Sequence, residues 1–241
     1  MLFAGPFIGK CFELYGEYSE SEVAMMRRFV RPGDTVVDVG ASLGDLTLPL
    51  AEMVGPEGRV YAMEASLEDC NILAANLAMN RIMNVRPINA MVKNSDQSEV
   101  QEKFLSHYWQ PQSLRLDDLQ LPECRLIKID VDGGEQDVLQ SGADLIKKCR
   151  PVLYLENDIR PKSKELIEYL FSLDYRLYWH LAPIYVPENF FNFPVNYWHP
   201  HNIMSLMMLG LPKEQELRAD DLTEVRSPDD WPGQLEAKPA A

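Results

Sequence analysis

Short apolar runs alternate with longer amphipathic segments from residue 34 onward. The runs are rich in β-branched residues, and glycine and proline residues punctuate the chain between them. This alternation is typical of parallel strands that are joined by crossover helices. It predicts strands at 34–39, 58–64, 85–90, 125–130 and 152–157, and helices at 43–54, 66–80, 134–148 and 162–173.

Two further apolar runs, 175–181 and 203–209, follow the last of these helices. The insertion between them, 182–202, is rich in aromatic residues, Asn and Pro. Two strands connected in this way predict an antiparallel hairpin that closes the sheet. With the five earlier strands, the pattern predicts an α/β protein with a Rossmann-like, mostly parallel seven-stranded sheet and a C-terminal antiparallel hairpin.

The segments on either side of this sheet region have a different composition. Residues 1–33 form an approach segment with one amphipathic helix. Its apolar residues recur at helical spacing, at Val23, Met26 and Val30. Residues 212–241 are acidic, contain proline and hold few apolar positions, so we expect a loosely held tail. The sequence therefore predicts one main domain over 34–211.

Charge and composition narrow the classes of function. The chain of 241 residues carries 37 acidic and 23 basic side chains, and its net charge of −14 disfavours nucleic acid and anionic membrane surfaces as partners. We find no apolar stretch of the ~20 residues that a membrane helix needs, and no signal-peptide pattern. The four cysteines are scattered without a CxxC pair, which disfavours a zinc site. We expect a cytoplasmic protein, and the oligomeric state stays open, a homo-oligomer included.

A glycine turn follows the first predicted strand. It reads Asp38-Val-Gly40-Ala41-Ser-Leu-Gly44. A dinucleotide-binding protein would have Gly-x-Gly-x-x-Gly here, so a nucleotide-linked dehydrogenase is disfavoured. Asp38 places a carboxylate at the strand end, and the two glycines let backbone and helix approach a ligand. Acidic surroundings suit the cationic sulfonium and amino group of S-adenosyl-L-methionine better than a diphosphate.

A second acid, Glu64, ends the second strand. A carboxylate at this point can accept both ribose hydroxyls of an adenosine, and adenine would lie against the end of the third strand. The alternative is that the acids at these strand ends only cap helices. The predicted cofactor-binding residues are Asp38, Gly40, Ala41, Gly44, Glu64, Ala65, Asn89 and Asp130.

Five phrases in a fixed order resemble the FkbM family of methyltransferases. They are Val36-Val-Asp38-Val-Gly40-Ala41-x-x-Gly44, Val54-Gly-Pro-x-Gly-Arg-Val60, Asn76-Leu-x-x-Asn80, Leu126-Ile-Lys-Ile-Asp130-Val-Asp132-Gly133-x-Glu135 and Arg150-Pro-Val-Leu-Tyr-x-Glu156-Asn-Asp158. The resemblance implies a class I methyltransferase fold and methyl transfer from S-adenosyl-L-methionine, usually to a hydroxyl oxygen. It leaves the acceptor open among sugars, macrolide-type natural products and other small alcohols.

The chain departs from this family pattern at two positions. Asp132 stands where the family usually has Glu, and Ala65 stands where Pro is common. The segment 91–124 is also shorter than in many relatives. These departures support an alternative in which the chain is catalytically silent and binds a ligand or a partner.

Polar residues follow the fourth, fifth and sixth strands at the carboxyl edge of the sheet, where open α/β sheets bind ligands. They are Asp130, Glu156, Asn157, Asp158 and His180. In one mechanism a base such as His180 or Asp158 takes the acceptor proton. In a second, Asp130, Glu156 and Asn157 bind Mg²⁺, which lowers the acceptor pKa. A third interpretation is that these acids cap helices and bind the cofactor, and Lys128 can tune the charge of Asp130.

The aromatic and amide residues of the insertion 182–202 suit a carbohydrate or polyol, because rings stack on C–H faces while amides bond to hydroxyls. A self-packed cover for the sheet edge is the alternative, and both interpretations place the insertion over the pocket. The pair His199 and His201 is expected to be plain surface. Together these patterns predict an O-methyltransferase whose partner is a small-molecule or glycan acceptor.

Overall fold

The computed structural model describes residues 7–94, 111–199 and 203–232. Within these residues the strands are β1 (Thr35–Val39), β2 (Arg59–Glu64), β3 (Val85–Val92), β4 (Gln112–Leu114), β5 (Leu126–Ile129), β6 (Val152–Glu156), β7 (Tyr175–Pro183), β8 (Met204–Pro212) and β9 (Thr223–Val225). The helices are α1 (Ile8–Tyr15), α2 (Glu20–Arg27), α3 (Thr47–Val54), α4 (Leu67–Met79), α5 (Glu135–Ser141), α6 (Ala143–Cys149) and α7 (Arg160–Ser172), with a short 3-10 helix at Leu116–Leu119.

The described strands form one sheet in the order β4-β3-β2-β1-β5-β6-β8-β7-β9. β1 to β6 run parallel, whereas β8 is antiparallel to both β6 and β7. This arrangement confirms the predicted Rossmann-like sheet and its closing hairpin. The short strands β4 and β9 extend the seven predicted strands at the two edges and have too few residues to give a periodic signal.

Both faces of the central strands are buried, which is why these strands read as continuous apolar runs. One face packs against α5, α6 and α7, and the opposite face packs against α2, α3 and α4. Most of the second face is apolar, but one row carries polar side chains in register. In that row Asp38 pairs with Lys128, and Lys128 pairs with Tyr154. The row leads to the carboxyl edge of the sheet.

Two helical regions differ from the prediction. The approach segment contains two helices, α1 and α2, rather than one, although Val23 and Met26 are buried on α2 as their spacing indicates. The single helix predicted at 134–148 is divided at Gly142. A Cβ on that glycine would lie 2.9 Å from the Cβ of Leu116, so the chain breaks the helix where the 3-10 segment crosses it.

The expectation of a loosely held tail is corrected over residues 212–232. β9 pairs with β7, and the Trp231 ring lies edge-on to Trp179 at a centroid distance of 5.8 Å. Arg28 contributes a bidentate hydrogen bond to Asp221. A segment poor in apolar residues is thus held by backbone pairing, one aromatic contact and ion pairs, and it covers the edge of β7.

None of the helices in the described ranges is long and apolar enough to cross a membrane.

Candidate active site

The glycine turn after β1 lies against the ends of two neighbouring strands. Gly40 and Gly44 have φ of 76° and 92°, a region that favours glycine. The N–H groups of Gly40 and Ala41 both donate to the Met63 carbonyl of β2, at 2.9 and 3.0 Å. A Cβ on Gly40 would collide with the backbone carbonyl of Asp130. The glycine at this position therefore allows the turn to pass close to the end of β5.

Glu64 closes one side of this turn. Its two carboxylate oxygens accept from the backbone N–H groups of Ser42 and Ser66, at 2.9 and 2.7 Å. Burial raises the pKa of Glu64, and these two hydrogen bonds oppose that rise. The predicted adenine neighbour Asn89 has another task, since its amide donates to the carbonyls of Glu64 and Ala65 at 2.9 and 3.1 Å. Asn89 therefore braces the segment that carries the acid.

A cavity of about 330 Å³ lies at the carboxyl ends of β1, β2, β3 and β5. Its size is that of a small-molecule site. Four predicted residues line it, namely Gly40, Glu64, Ala65 and Asp130. Asp132 also lines it, together with Met91, Val92, Lys93 and Asp137, which have no distinguishing motif in the sequence. The lining holds four acidic side chains and one basic side chain, so the cavity favours a cation.

A wider groove of about 800 Å³ lies at the other end of the sheet, between α3, the start of β2 and the turn after α4. None of the predicted site residues lines this groove. Ligands of open α/β sheets bind at the carboxyl ends of the strands. We therefore assign the smaller cavity as the candidate active site.

Three of the predicted cofactor-binding residues support the glycine turn without lining the cavity. Asp38 is completely buried, Ala41 is nearly so, and neither they nor Gly44 line the cavity. The Asp38 carboxylate accepts a hydrogen bond of 2.6 Å from the Thr47 hydroxyl and lies 3.3 Å from the Lys128 ammonium. In this structure Asp38 acts through its neighbours rather than facing a ligand.

Lys128 is a buried cation that reaches three features of the site. Its ammonium donates to the Gly40 carbonyl at 2.7 Å and lies 3.8 Å from the Asp130 carboxylate. Burial acts to lower the pKa of Lys128, but the surrounding carboxylates, among them Asp38, Asp130 and Asp45, outweigh it and raise that pKa. Lys128 is therefore charged, and the predicted link between Lys128 and Asp130 is present.

Three carboxyl groups meet at the edge beyond the cavity. Glu156 interacts with Asp130 by a side-chain hydrogen bond, and Asp158 lies near both. Burial, followed by the charges of Asp130 and Asp158, raises the pKa of Glu156 to about 9. At neutral pH Glu156 is protonated and donates to Asp130. The pair holds one proton and one negative charge, so its ionised member can act as a base.

Of the three predicted magnesium ligands, Asp130 and Glu156 lie together, but Asn157 does not join them. Asn157 is buried, with its amide directed at the Met208 sulfur at 4.0 Å and its backbone N–H bonded to Leu206. Since successive side chains along a strand alternate between the two faces of the sheet, Asn157 points away from the face that carries Glu156. In the described part of the chain, no group of three or more His, Cys, Asp or Glu side chains could hold a metal ion. The structure thus does not support the Mg²⁺ prediction.

His180 lies within β7 rather than at its end. Its Nδ1 is 2.7 Å from the Tyr154 hydroxyl, and the side chain is buried. Burial lowers the pKa of His180. The charge of Asp221 opposes this effect, and the charge of Arg28 adds to it. The histidine does not line the cavity, so it has no contact through which it could take the proton of an acceptor bound there.

The loop after β5 explains one departure from the family pattern. Asp132 has φ of 51° and Gly133 has φ of 91°. Asp enters this left-handed region more readily than Glu does. The Glu135 carboxylate fastens the loop by accepting from the N–H groups of Gly133 and Val131, at 2.9 and 3.2 Å. The loop thereby holds Asp132 at the cavity wall.

The described part of the insertion packs against α1. The Tyr15 hydroxyl accepts from the N–H of Tyr197 at 2.9 Å, and the Tyr15 ring lies 5.3 Å from that of Tyr185. Asn189 is occupied by the backbone of Val186 and Phe193. No described insertion residue lines the cavity. His201 and Asn202 lie outside the described residues, as do residues 95–110 of the shortened segment.

The fold and site define a class I methyltransferase, and solved structures share the architecture. Precorrin-6y C5,15-methyltransferase from Geobacter metallireducens GS-15 has a TM-score of 0.57 and 15% identity, over 80% of this chain and 87% of that chain. Methyltransferase FkbM from Methylobacillus flagellatus KT has a TM-score of 0.55 and 16% identity, over 79% of this chain and 50% of that one. A SAM-dependent O-methyltransferase from Thermotoga maritima has a TM-score of 0.50 and 19% identity, over 82% and 66%.

The sequence establishes the family. The methyltransferase FkbM domain profile matches residues 38–177, more than half of the chain. The chain therefore belongs to the FkbM methyltransferase family. No curated protein matches it significantly.

Proposed function

We propose that this chain is an S-adenosyl-L-methionine-dependent O-methyltransferase that acts on a hydroxyl group of a small molecule or glycan. The observation that carries the proposal is the convergence of the Gly40 turn, Glu64 and Asp130 on one acidic cavity. The turn fits the cofactor because a side chain on Gly40 would fill the space against β5. When bound there, S-adenosyl-L-methionine supplies an electrophilic methyl group.

The cavity residues have distinct tasks in this proposal. Glu64 accepts the ribose hydroxyls with the two oxygens that now accept from backbone N–H groups. Met63 and Met91 offer apolar contact to adenine. Asp130 and Asp132 add negative charge beside the cationic donor group. These tasks need alignment more than covalent chemistry, because in-line methyl transfer depends on holding the two reactants close.

Proton removal falls to the carboxyl pair in this proposal. Asp130 lines the cavity and is hydrogen-bonded to protonated Glu156. Its carboxylate takes the hydroxyl proton as the acceptor oxygen bonds to the methyl carbon. Both acids are half-buried, and the proton held by Glu156 leaves the Asp130 carboxylate as the group that accepts in this step. The net charge of −14 further supports a neutral or cationic acceptor and disfavours a nucleic-acid or anionic membrane partner. We place the enzyme in the cytoplasm.

Isothermal titration calorimetry with S-adenosyl-L-methionine and S-adenosylhomocysteine tests the cofactor site. We expect wild-type protein to bind both and Glu64→Gln to lose about tenfold or more in affinity, since a neutral amide accepts the two hydroxyls poorly. Glu57→Gln, an exposed glutamate on the turn before β2, is the matched control. Absence of binding by wild-type protein would overturn the proposal.

A screen of alcohols and glycosides with methyl-labelled cofactor tests the reaction. We expect label in an ether product, and loss of that label in Asp130→Asn even at a saturating concentration of the cofactor. Cofactor binding without transfer to any acceptor would favour the catalytically silent alternative. Label on nitrogen or carbon would correct the class of acceptor.

A further inference from the structure

The N-terminal helix α2 inserts a carboxyl group beneath the carboxyl edge of the sheet. Glu22 is 3% exposed, and its Oε1 accepts a hydrogen bond of 2.5 Å from the Ser19 hydroxyl. Its Oε2 is buried and accepts no hydrogen bond of regular geometry within the described part of the chain. Burying an ionisable group lowers the stability of the fold, so its presence here indicates a functional role.

Glu22 faces two different regions. On one side its charge interacts with the charges of Lys128 and of Asp130, the acid that lines the cavity. On the other side the Tyr154 hydroxyl interacts with the Glu22 carboxyl group. The groups that face Glu22 from the surrounding elements are Tyr18, Ser19, Lys128, Asp130, Tyr154 and Ser205.

Tyr154 continues the line of polar groups across the sheet. It is completely buried on β6, and its hydroxyl lies 2.7 Å from Nδ1 of His180 on β7. The charged groups near His180 are Asp221 and Arg28, a mutually paired and solvent-exposed couple. Glu22, Tyr154 and His180 therefore connect the cavity edge with the surface. Two of the three, Glu22 and His180, lie outside the residues that match the family domain.

We propose that Glu22, Tyr154 and His180 form a proton-transfer route from the Asp130 edge to the surface beside Asp221 and Arg28. The inference rests on the proposed O-methylation, which releases one proton per turnover. As the C–O bond forms, the C–S bond breaks, sulfur keeps the electron pair, and the hydroxyl proton goes to the carboxyl edge.

The geometry defines how the proton leaves. With His180 in its Nε2–H form, protonated Glu22 donates to the Tyr154 oxygen while the tyrosine donates its own proton to Nδ1. His180 then releases its Nε2 proton to solvent, and the ionised Glu22 takes up the proton from the carboxyl edge. Exchange of the ring protons of His180 with solvent restores the Nε2–H form before the next turnover. Charge and atoms balance, since one proton enters at the cavity edge and one leaves at the surface.

The route predicts a tautomer change that needs no turnover. With Glu22 ionised, Tyr154 donates to it and His180 carries its proton on Nδ1. With Glu22 protonated, Tyr154 donates to Nδ1 and His180 carries its proton on Nε2. Imidazole ¹⁵N shifts of the unliganded protein should therefore change from the Nε2–H to the Nδ1–H pattern as pH rises and Glu22 loses its proton.

Glu22→Gln should hold the Nε2–H tautomer at every pH where His180 is neutral, because its amide donates to the tyrosine as the protonated acid does. Tyr154→Phe should remove the tautomer change. Tyr178→Phe, a buried tyrosine on β7, is the control that should behave as wild type. The same His180 tautomer and pH midpoint in wild type, Glu22→Gln and Tyr154→Phe would overturn the route.

Single-turnover transfer to the acceptor found by the labelled-methyl screen gives a second readout. Glu22→Gln and Tyr154→Phe should slow transfer by about tenfold or more with unchanged affinity for S-adenosylhomocysteine. Added imidazole should restore the rate of His180→Ala. Wild-type rates in the first two variants would overturn the route. If the wild-type protein transferred no methyl group, the proposed function would be wrong, and the tautomer measurement would then decide the route.

Discussion

Lys128 donates a hydrogen bond of 2.7 Å to the Gly40 carbonyl while its ammonium lies 3.3 Å from the completely buried Asp38 carboxylate. One side chain thereby joins the end of β5 to the turn after β1. Asp38 in turn accepts from Thr47 at the start of α3. The conformation of the cofactor turn thus depends on a buried ion pair that itself lies outside the cavity.

Lys128→Met tests this dependence. The substitution keeps the length of the side chain but leaves Asp38 buried without its cation, so we expect a loss of roughly 3–5 kcal/mol, or about 10 °C in Tm. Thermal unfolding of purified protein measures it. Lys164→Met breaks the solvent-exposed pair with Asp229 and should leave Tm unchanged. Equal effects of the two variants would contradict the role of Lys128.

The sequence predicted part of this relationship. Alternation along one strand places Lys128 on the same side as Asp130, and the structure confirms this. The contact with Asp38 depends on β5 lying next to β1, which the sheet order determines and the local pattern does not. For this reason Asp38 was predicted as a ligand-facing acid, although its carboxylate is occupied by Lys128 and Thr47.

Gly40→Ala should damage both folding and cofactor binding. The added methyl group would meet the Asp130 carbonyl, and backbone cannot yield as a flexible side chain can. We expect about a hundredfold loss of affinity for S-adenosyl-L-methionine by calorimetry, because the turn must move away from β5. Gly33→Ala is a sharp control. Gly33 also has positive φ, 91°, but open space around its Cβ position, so this variant should lose about 1–2 kcal/mol of stability and keep its affinity.

Glu156→Gln should stabilise the protein in a defined pH range. The pKa of Glu156 in the folded protein is about 9, above its ordinary value of 4.5, so the folded state holds the proton more tightly than the unfolded state. Folding stability therefore falls as pH rises through this window. The amide still donates to Asp130 and does not titrate.

We expect Glu156→Gln to raise Tm by about 2–4 °C at pH 8 and to match wild type near pH 4. Glu165→Gln on the exposed side of α7 should show no such difference between the two pH values. A Tm advantage that is the same at both pH values would mean that Glu156 titrates in its ordinary range.

The central strands of the sheet were more predictable from the sequence than its edge strands. Long apolar runs gave the seven main strands, since burial on both faces leaves a strong signal in each strand. β9 has three residues in an acidic segment, and it is held by pairing with β7 and by the Trp179–Trp231 contact. Neither feature has a local signature. Glu22 has no sequence signal for a related reason, because a single acid on an amphipathic helix is expected at the solvent-exposed face, and only the packing of α2 on the sheet buries it.

Asp45 should make cofactor affinity depend on pH. It follows Gly44 in the cofactor turn, and its Oδ1 is buried without a hydrogen-bond partner in the described part of the chain. Burial raises the pKa of Asp45 to about 7, Asp38 and Asp130 act in the same direction, and Lys128 opposes them. The turn therefore gains a negative charge as pH rises through neutrality. Since the donor is a cation and its demethylated product is not, the added charge favours the donor.

Calorimetry at pH 6 and pH 8 measures the effect of Asp45. We expect wild-type affinity for S-adenosyl-L-methionine to rise about threefold or more over this range. The change for S-adenosylhomocysteine should be smaller, because it lacks the sulfonium charge that the Asp45 carboxylate attracts. Asp45→Asn should flatten the dependence on pH, whereas Asp144→Asn on α6, remote from the turn, should retain it. If Asp45→Asn kept the wild-type dependence, another group would be titrating. Comparison with Glu22→Gln and Glu64→Gln would identify it, because both of these acids have a raised pKa and interact with Lys128.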